Sequence, residues 1–232
     1  MERYLTKKEK IRFFREKYLP LWSILPLISI FVLNCLIYWG SSALTAGRYH
    51  FDFTMAFDRE VPLLPVFVWF YILAFPFWAV GYLLAARRGK DMFYRFVATD
   101  LTIHFICFIC FILIPTTNIR PEIPGNTLSE KILALVYSLD GGNSPSNLFP
   151  SIHCYVSWMC WKGVEGSEKV PKWYQRFSLI FAILIIISTQ VLKQHYIVDA
   201  AAALLLVEFF WRFYQKGQRH KWVVHVFAHK KK

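Results

Sequence analysis

Acidic side chains are scarce in this sequence: 15 Asp and Glu stand against 27 Lys and Arg in 232 residues, a net charge of +12. No Asp/Glu cluster of the kind that cages a hard cation is present, so neither a metal nor any other cofactor is expected. Cysteine is nearly as sparse. Cys35, Cys107, Cys110, Cys154 and Cys160 all lie in apolar runs, and an odd number there speaks against a disulfide framework. Cys107 and Cys110 form a C-x-x-C with His104 one turn earlier. A metal site or redox pair would need further ligands or a soluble redox fold, so buried small apolar residues are the simpler reading. A cleavable signal pattern is also missing, because the first apolar run follows a long charged segment without a small-residue cleavage site. Asn34, Asn118, Asn126, Asn143 and Asn147 all lack a Ser or Thr two residues on, so there is no glycosylation sequon.

Apolar length is what the chain has in abundance, with 56% hydrophobic and 19% aromatic residues. That composition belongs to a membrane protein whose partner is the lipid bilayer. The basic excess is compatible in principle with nucleic acid. Here, though, the basic residues gather in short loops between apolar runs, which is the pattern of membrane topology, and no nucleic-acid partner is expected.

Met1–Lys17 is basic, and its Ile11, Phe13, Phe14 and Tyr18 suit a short amphipathic helix on an anionic surface. Leu19–Gly40 is long enough to span, with Trp22, Tyr38 and Trp39 near its ends. A polar loop, Ser41–Glu60, leads to a second span, Val61–Ala86. Its Pro62, Pro65 and Pro76 predict a bent or late-starting helix. The third span, about Val97–Pro115, carries Asp100 and His104, four apart and able to pair with each other in packing. Thr116–Leu148 reads as a polar loop. A short run from Pro150 to about Val164 follows, and then Phe177–Leu192 and Tyr196–Tyr214.

Alternating these segments across a bilayer puts 22 Lys and Arg on one side and 5 on the other, which accounts for all 27. Such asymmetry predicts an all-α, six-transmembrane helical bundle with N- and C-termini cytoplasmic. It also makes a span of the short fourth run, since without it the later basic loop and tail would lie outside. The expected domains are a basic segment 1–18, a membrane domain 19–214 and a basic tail 215–232.

This topology collects three polar stretches at the outer face. Asn118-Ile119-Arg120-Pro121 follows the third span, Phe149-Pro150-Ser151-Ile152-His153 opens the fourth, and Ser188–Asp199 joins the last two. In the last stretch His195 and Asp199 are four apart, so on a helix they share one face. Ionisable groups at the edge of hydrocarbon are expensive and mark function by default, although a His and a Lys can also simply sit in the headgroup layer. In the second stretch Pro150 suits the first position of a helix. The N–H groups of that first turn and the Ser151 hydroxyl can then hold an anion, with His153 beside it.

Together the stretches resemble the type-2 phosphatidic acid phosphatase (PAP2) superfamily, whose six-helix members carry K-x6-R-P, P-S-x-H and S-R-x5-H-x3-D. Arg120-Pro121 matches the end of the first motif, Pro150-Ser151-Ile152-His153 the second, and Ser188, His195 and Asp199 the third in spacing, over about residues 61–214. Two family cations are replaced, by Leu113 and Thr189. Ser-Thr in place of Ser-Arg is similar to the branch that includes inositol phosphorylceramide synthases and bacterial relatives.

The resemblance implies catalysis by His195, His153 and Asp199. His195 would attack phosphorus to give a phosphohistidine, oriented by Asp199. His153 would protonate the leaving alkoxide and then activate the resolving water or alcohol. Arg120, Ser151, Thr189 and Lys193 would hold the phosphate, Lys193 as a replacement cation by position alone. The expected activity is hydrolysis of a phosphomonoester or pyrophosphate lipid at the outer face. The alternatives are headgroup transfer to a lipid alcohol, or a non-enzymatic scaffold or transporter on the same fold. The intact histidines and Asp199 count against the non-enzymatic reading. Short loops and the missing sequons point to a bacterial cell membrane. The outer loop with His50, Asp52 and Phe53 suits either a lid over the site or plain solvent contact.

Overall fold

The computed structural model describes residues 6, 19–142 and 145–227. The expected surface helix in Met1–Lys17 and the last five residues of the tail lie outside the described residues. The chain runs α1 (Leu21–Thr45), β1 (Phe51–Asp52), α2 (Ala56–Glu60), a 3-10 turn (Pro65–Phe67), α3 (Val68–Ala86) and α4 (Lys90–Leu113). It continues through β2 (Thr116–Thr117), α5 (Leu128–Leu139), α6 (Ile152–Val164), α7 (Lys172–Val191), α8 (Ile197–Gln215) and α9 (Lys221–Phe227). The protein is mostly helical. The all-α expectation departs only at a two-residue parallel ladder, with Phe51 opposite Thr116 and Asp52 opposite Thr117.

Four helical segments among the described residues are long and apolar enough to cross a membrane: Leu21–Thr45, Pro65–Ala86, Lys90–Leu113 and Lys172–Val191. The other two expected spans differ for separate reasons. At 13 residues, α6 is only about 20 Å long. The hydrocarbon core is about 30 Å thick. The 19 residues of α8 include Asp199, Glu208 and Arg212. α6 packs against α3, α4, α7 and α8, and ten of its residues are buried. It is an inner helix whose short length is shielded by longer neighbours.

Helix boundaries follow local chemistry. The second span starts late, as its prolines imply: Pro65 opens the 3-10 turn before α3, and Pro76 sits inside α3. α4 begins at Lys90, earlier than expected, because Gly89 at φ 111° turns the chain and Asp91 pairs with Arg95 at 2.8 Å. Arg95 also donates to the carbonyls of Tyr214 and Gln215 at 2.7 and 2.9 Å, capping the end of α8 with a cation. The expected loop 116–148 contains a whole helix, α5. Its Thr127 accepts from the Glu130 N–H at 3.2 Å, and Glu130 accepts from the Thr127 N–H at 3.0 Å, a reciprocal capping box.

Asp100 and His104 do pair, at 3.0 Å, in the buried middle of the bundle. Tyr82 donates to Asp100, Asn34 lies 3.2 Å from His104, and the Tyr155 hydroxyl lies 2.8 Å from the same ring. This polar knot ties α1, α3, α4 and α6 together where water cannot compete.

α3 and α6 approach closely through small residues. A Cβ on Gly81 would fall 2.6 Å from the Cys160 sulfur, and one on Gly163 would fall 2.9 Å from the Ala85 Cβ. Close backbone approach of this kind drives helix association in lipid. Gly81→Leu is expected to destabilise the bundle by about 1–3 kcal/mol through overpacking. Thermal unfolding of the detergent-solubilised protein measures this, with Gly40→Leu, which meets nothing within 4 Å, as the unaffected control.

Candidate active site

The site is built where α7 ends and α8 begins. The break expected between the last two spans falls here: α7 stops at Val191 and α8 starts at Ile197. Lys193 adopts φ 52°, and the N–H groups of Gln194 and His195 both return to the Thr189 carbonyl, at 2.9 and 3.2 Å. This is the left-handed termination of a helix with a lysine in the place glycine usually takes, at a cost of about 1–2 kcal/mol.

His195 and Asp199 therefore meet across a helix N-terminus rather than along one helix face. Asp199 Oδ2 accepts from the Tyr196 N–H at 3.0 Å, which caps α8, and lies 3.2 Å from His195 Nδ1. The Leu148 carbonyl is 3.1 Å from the same nitrogen. Both partners are acceptors, so Nδ1 carries the proton and Nε2 keeps its lone pair. Asp199 is fully buried, and its Oδ1 has no partner among the described residues.

His153 stands at the start of α6, its ring centroid 5.9 Å from that of His195. The ring stacks on Tyr71 at 4.5 Å and is met edge-on by Trp78 at 5.1 Å and Phe75 at 6.1 Å. Trp78 is itself fixed by a 2.8 Å bond to Ser157. His153 Nε2 is buried and has no partner among the described residues. α6 begins at Ile152, so Pro150 lies before the helix rather than in its first turn. Ser151 is the N-cap instead, its hydroxyl accepting from the Cys154 N–H at 3.2 Å. Its own N–H donates to the Asp199 carbonyl at 3.3 Å, joining the two helix starts.

Arg120 is buried beside this junction. Its guanidinium donates to the Asp140 and Gly142 carbonyls at 2.8 and 3.0 Å, to Asp140 Oδ2 at 2.5 Å, and to the Gln194 side chain. Its plane lies 4.7 Å over the Tyr137 ring, and burial pushes the Tyr137 phenol up to about 12 against the pull of Arg120. Gln194 is next in sequence to His195, so Arg120 reaches the histidine turn through one side chain. Thr189 is fully buried, and its hydroxyl donates to the Ile186 carbonyl at 2.7 Å, inside α7. Among the described residues, no three His, Cys, Asp or Glu side chains gather to hold a metal ion.

Lys193 has partners unlike those its position implies. Its ammonium donates to the Asp58 carbonyl at 2.7 Å and to the Val61 carbonyl, and burial pushes it below the usual lysine range. The left-handed turn aims the side chain at the 51–64 segment, whose other fixings lie close by. Asp58 Oδ1 accepts from the Ile197 N–H at 2.8 Å, the Leu64 N–H donates to the Val191 carbonyl at 2.9 Å, and Tyr196 donates to Asp52 at 2.8 Å. Phe53 packs edge-on against Phe149 at 5.7 Å. The 51–64 loop is thus a strap held to the histidine turn.

Sequence reading missed Asp58, Asp140 and Gln194, because single polar residues in loops look like solvent contacts. Only the capping box of α5 was available as a signal, and it positions Asp140. Asp58→Ala should release the strap: hydrogen exchange of residues 51–64 is expected to rise at least tenfold, while α3 and α4 keep their protection.

The comparisons with known proteins fit this geometry. Residues 47–212, well over half of the 232-residue chain, match the PAP2 superfamily, and the matched stretch contains every candidate site residue named above. Comparison with curated proteins and with solved structures gives no match. A helical chain with four apolar membrane-length helices and this match is an integral membrane protein of the phosphatase and phosphotransferase kind: it belongs to the PAP2 superfamily.

Proposed function

We propose that the protein transfers a phosphoryl group from a membrane lipid phosphate through a phosphohistidine on His195. The observation that carries this reading is the tautomer set by Asp199 and the Leu148 carbonyl, which leaves Nε2 of His195 as the nucleophile. In the first step the Nε2–P bond forms and the bond from phosphorus to the lipid oxygen breaks. His153, charged once the phosphate dianion sits beside it, gives its proton to the departing alkoxide. In the second step the neutral His153 takes a proton from water or an alcohol, whose oxygen attacks phosphorus as the N–P bond breaks. Arg120 and the Ser151-capped start of α6 are the proposed stabilisers of phosphoryl charge. We assign the Thr189 hydroxyl to the shape of α7, and Lys193 to the strap.

Water as acceptor gives a phosphatase for a phosphomonoester or pyrophosphate lipid, the outcome the motifs favour. A lipid alcohol as acceptor gives a headgroup transferase. One observation supports that second reading: the two missing family cations at Leu113 and Thr189 are not replaced by Lys193, whose ammonium is held by backbone carbonyls. Six spans, with both termini cytoplasmic and the site at the outer face of a bacterial cell membrane, remain the proposed topology. α6 then crosses as a shielded inner segment, and α8 crosses with Leu205 and Phe209 turned outward and its Ala200, Ala203 and Val207 stripe turned to the bundle.

His195→Ala should lose all turnover of radiolabelled lipid phosphates and the acid-labile phosphoenzyme with it; retained labelling would remove His195 as nucleophile. Asp199→Asn should lower kcat at least a hundredfold with KM changed less than threefold, since it disturbs the tautomer more than the phosphate contacts. Steady-state kinetics on mixed micelles checks this.

A further inference from the structure

Arg120 is the only guanidinium in the three motif stretches, and the protein already provides its counter-ion. An arginine carries five N–H donors. Four of those of Arg120 are engaged by the Asp140 carbonyl, the Gly142 carbonyl, Asp140 Oδ2 and Gln194. The fifth, on Nε, is buried without a partner among the described residues, and so is the Gln194 side-chain nitrogen beside it. The carboxylate of Asp140 sits on Nη2 at 2.5 Å, held from its other side by the Tyr38 hydroxyl of α1. Tyr38 precedes the matched stretch 47–212, so part of this support comes from outside the family core. The Asp140 side chain keeps 23% exposure, whereas that of Arg120 has none.

Charge at this site can be counted. Arg120 and Asp140 cancel. His195 faces the carboxylate of Asp199. Lys193 is tied to two carbonyls beside Asp58, and positions 113 and 189 are Leu and Thr. A doubly charged phosphomonoester would enter a site whose guanidinium is neutralised by Asp140 and whose Lys193 ammonium is drawn away onto the strap carbonyls, in a setting where burial magnifies each unpaired charge. A phosphodiester carries one charge and asks for less. The unpartnered N–H groups of Arg120 and Gln194 are neutral-site donors suited to it.

We propose that Asp140 determines substrate class: by neutralising Arg120 it makes the site select a singly charged lipid phosphodiester over a doubly charged phosphomonoester. The inference rests on the phosphoryl-transfer reading above and sharpens it towards headgroup transfer.

The test uses the full chain in nanodiscs with two substrates of identical acyl chains, a diacylglycerol phosphomonoester and a matching phosphodiester. Asp140→Asn removes the charge with little change in shape. It is expected to raise the ratio of kcat/KM for monoester over diester at least tenfold. Asp140→Glu, which keeps the charge, should keep the wild-type ratio even if both rates fall. A second readout needs no turnover. Inorganic phosphate should raise the Tm of Asp140→Asn more than that of the wild type, and the gain should vanish in Asp140→Asn/Arg120→Ala. An unchanged ratio with no added stabilisation by phosphate would overturn the assignment. So would a Glu variant that shifts the ratio as the Asn variant does. If no form turned over either ester while the phosphate effect appeared, the phosphoryl-transfer reading would fall and substrate selection with it, leaving only the neutralisation of Arg120 by Asp140.

Discussion

One buried carboxylate holds the site together. Asp199 caps α8 through the Tyr196 N–H, fixes Nδ1 of His195, and lends its backbone carbonyl to the Ser151 N–H at the head of α6. The histidine turn, the start of α8 and, from 48 residues away, the head of α6 converge on one residue with no exposed surface. A buried carboxylate is costly without partners, and Oδ2 draws both of its partners from the turn and the cap, so these and the histidine are constrained as a unit. The left-handed Lys193 is tolerated because this unit, and the strap that binds its ammonium, over-determine it.

Around that unit the packing serves access and rigidity. α6 is short because it starts at the site and is enclosed by longer helices; the close approach at Gly81 and Gly163 brings it against α3. The same approach sets His153 among Tyr71, Phe75 and Trp78. Phe75 is 56% exposed on the face a bilayer would cover, which leaves a single aromatic layer between His153 and lipid. At the end of the bundle that carries the site, the strap and the end of α5 are both tied to the histidine turn, one through Asp58 and the other through Arg120 and Asp140.

Much of this was legible in the sequence for simple reasons. Apolar runs of span length, prolines at helix starts and basic loops are local signals, and the four membrane-length helices follow from them. The motif residues Pro150 to His153, His195 and Asp199 were found because their spacing is short-range. Where local rules misled, a neighbour had overruled them. A shared helix face for His195 and Asp199 was the local rule, but His195 lies in the turn that the left-handed Lys193 opens, and the pair meets across the start of α8. Pro150 was placed inside a helix that Ser151 caps. The loop 116–148 hid α5, although Thr127 and Glu130 spelled out its cap.

The sequence by itself determined a helical membrane chain and the superfamily, and it singled out His153, His195 and Asp199 as candidates, because hydropathy and motif spacing are written along the chain. Only the tertiary structure decided which charges remain uncompensated. In a linear reading Arg120 is a phosphate ligand by motif and Lys193 one by position alone. Their partners, the carbonyls of Asp58 and Val61 for one and the Asp140 carboxylate for the other, come from segments 132 to 135 and 20 residues away. Electrostatic compensation depends on distance through space, and no sequence spacing specifies it.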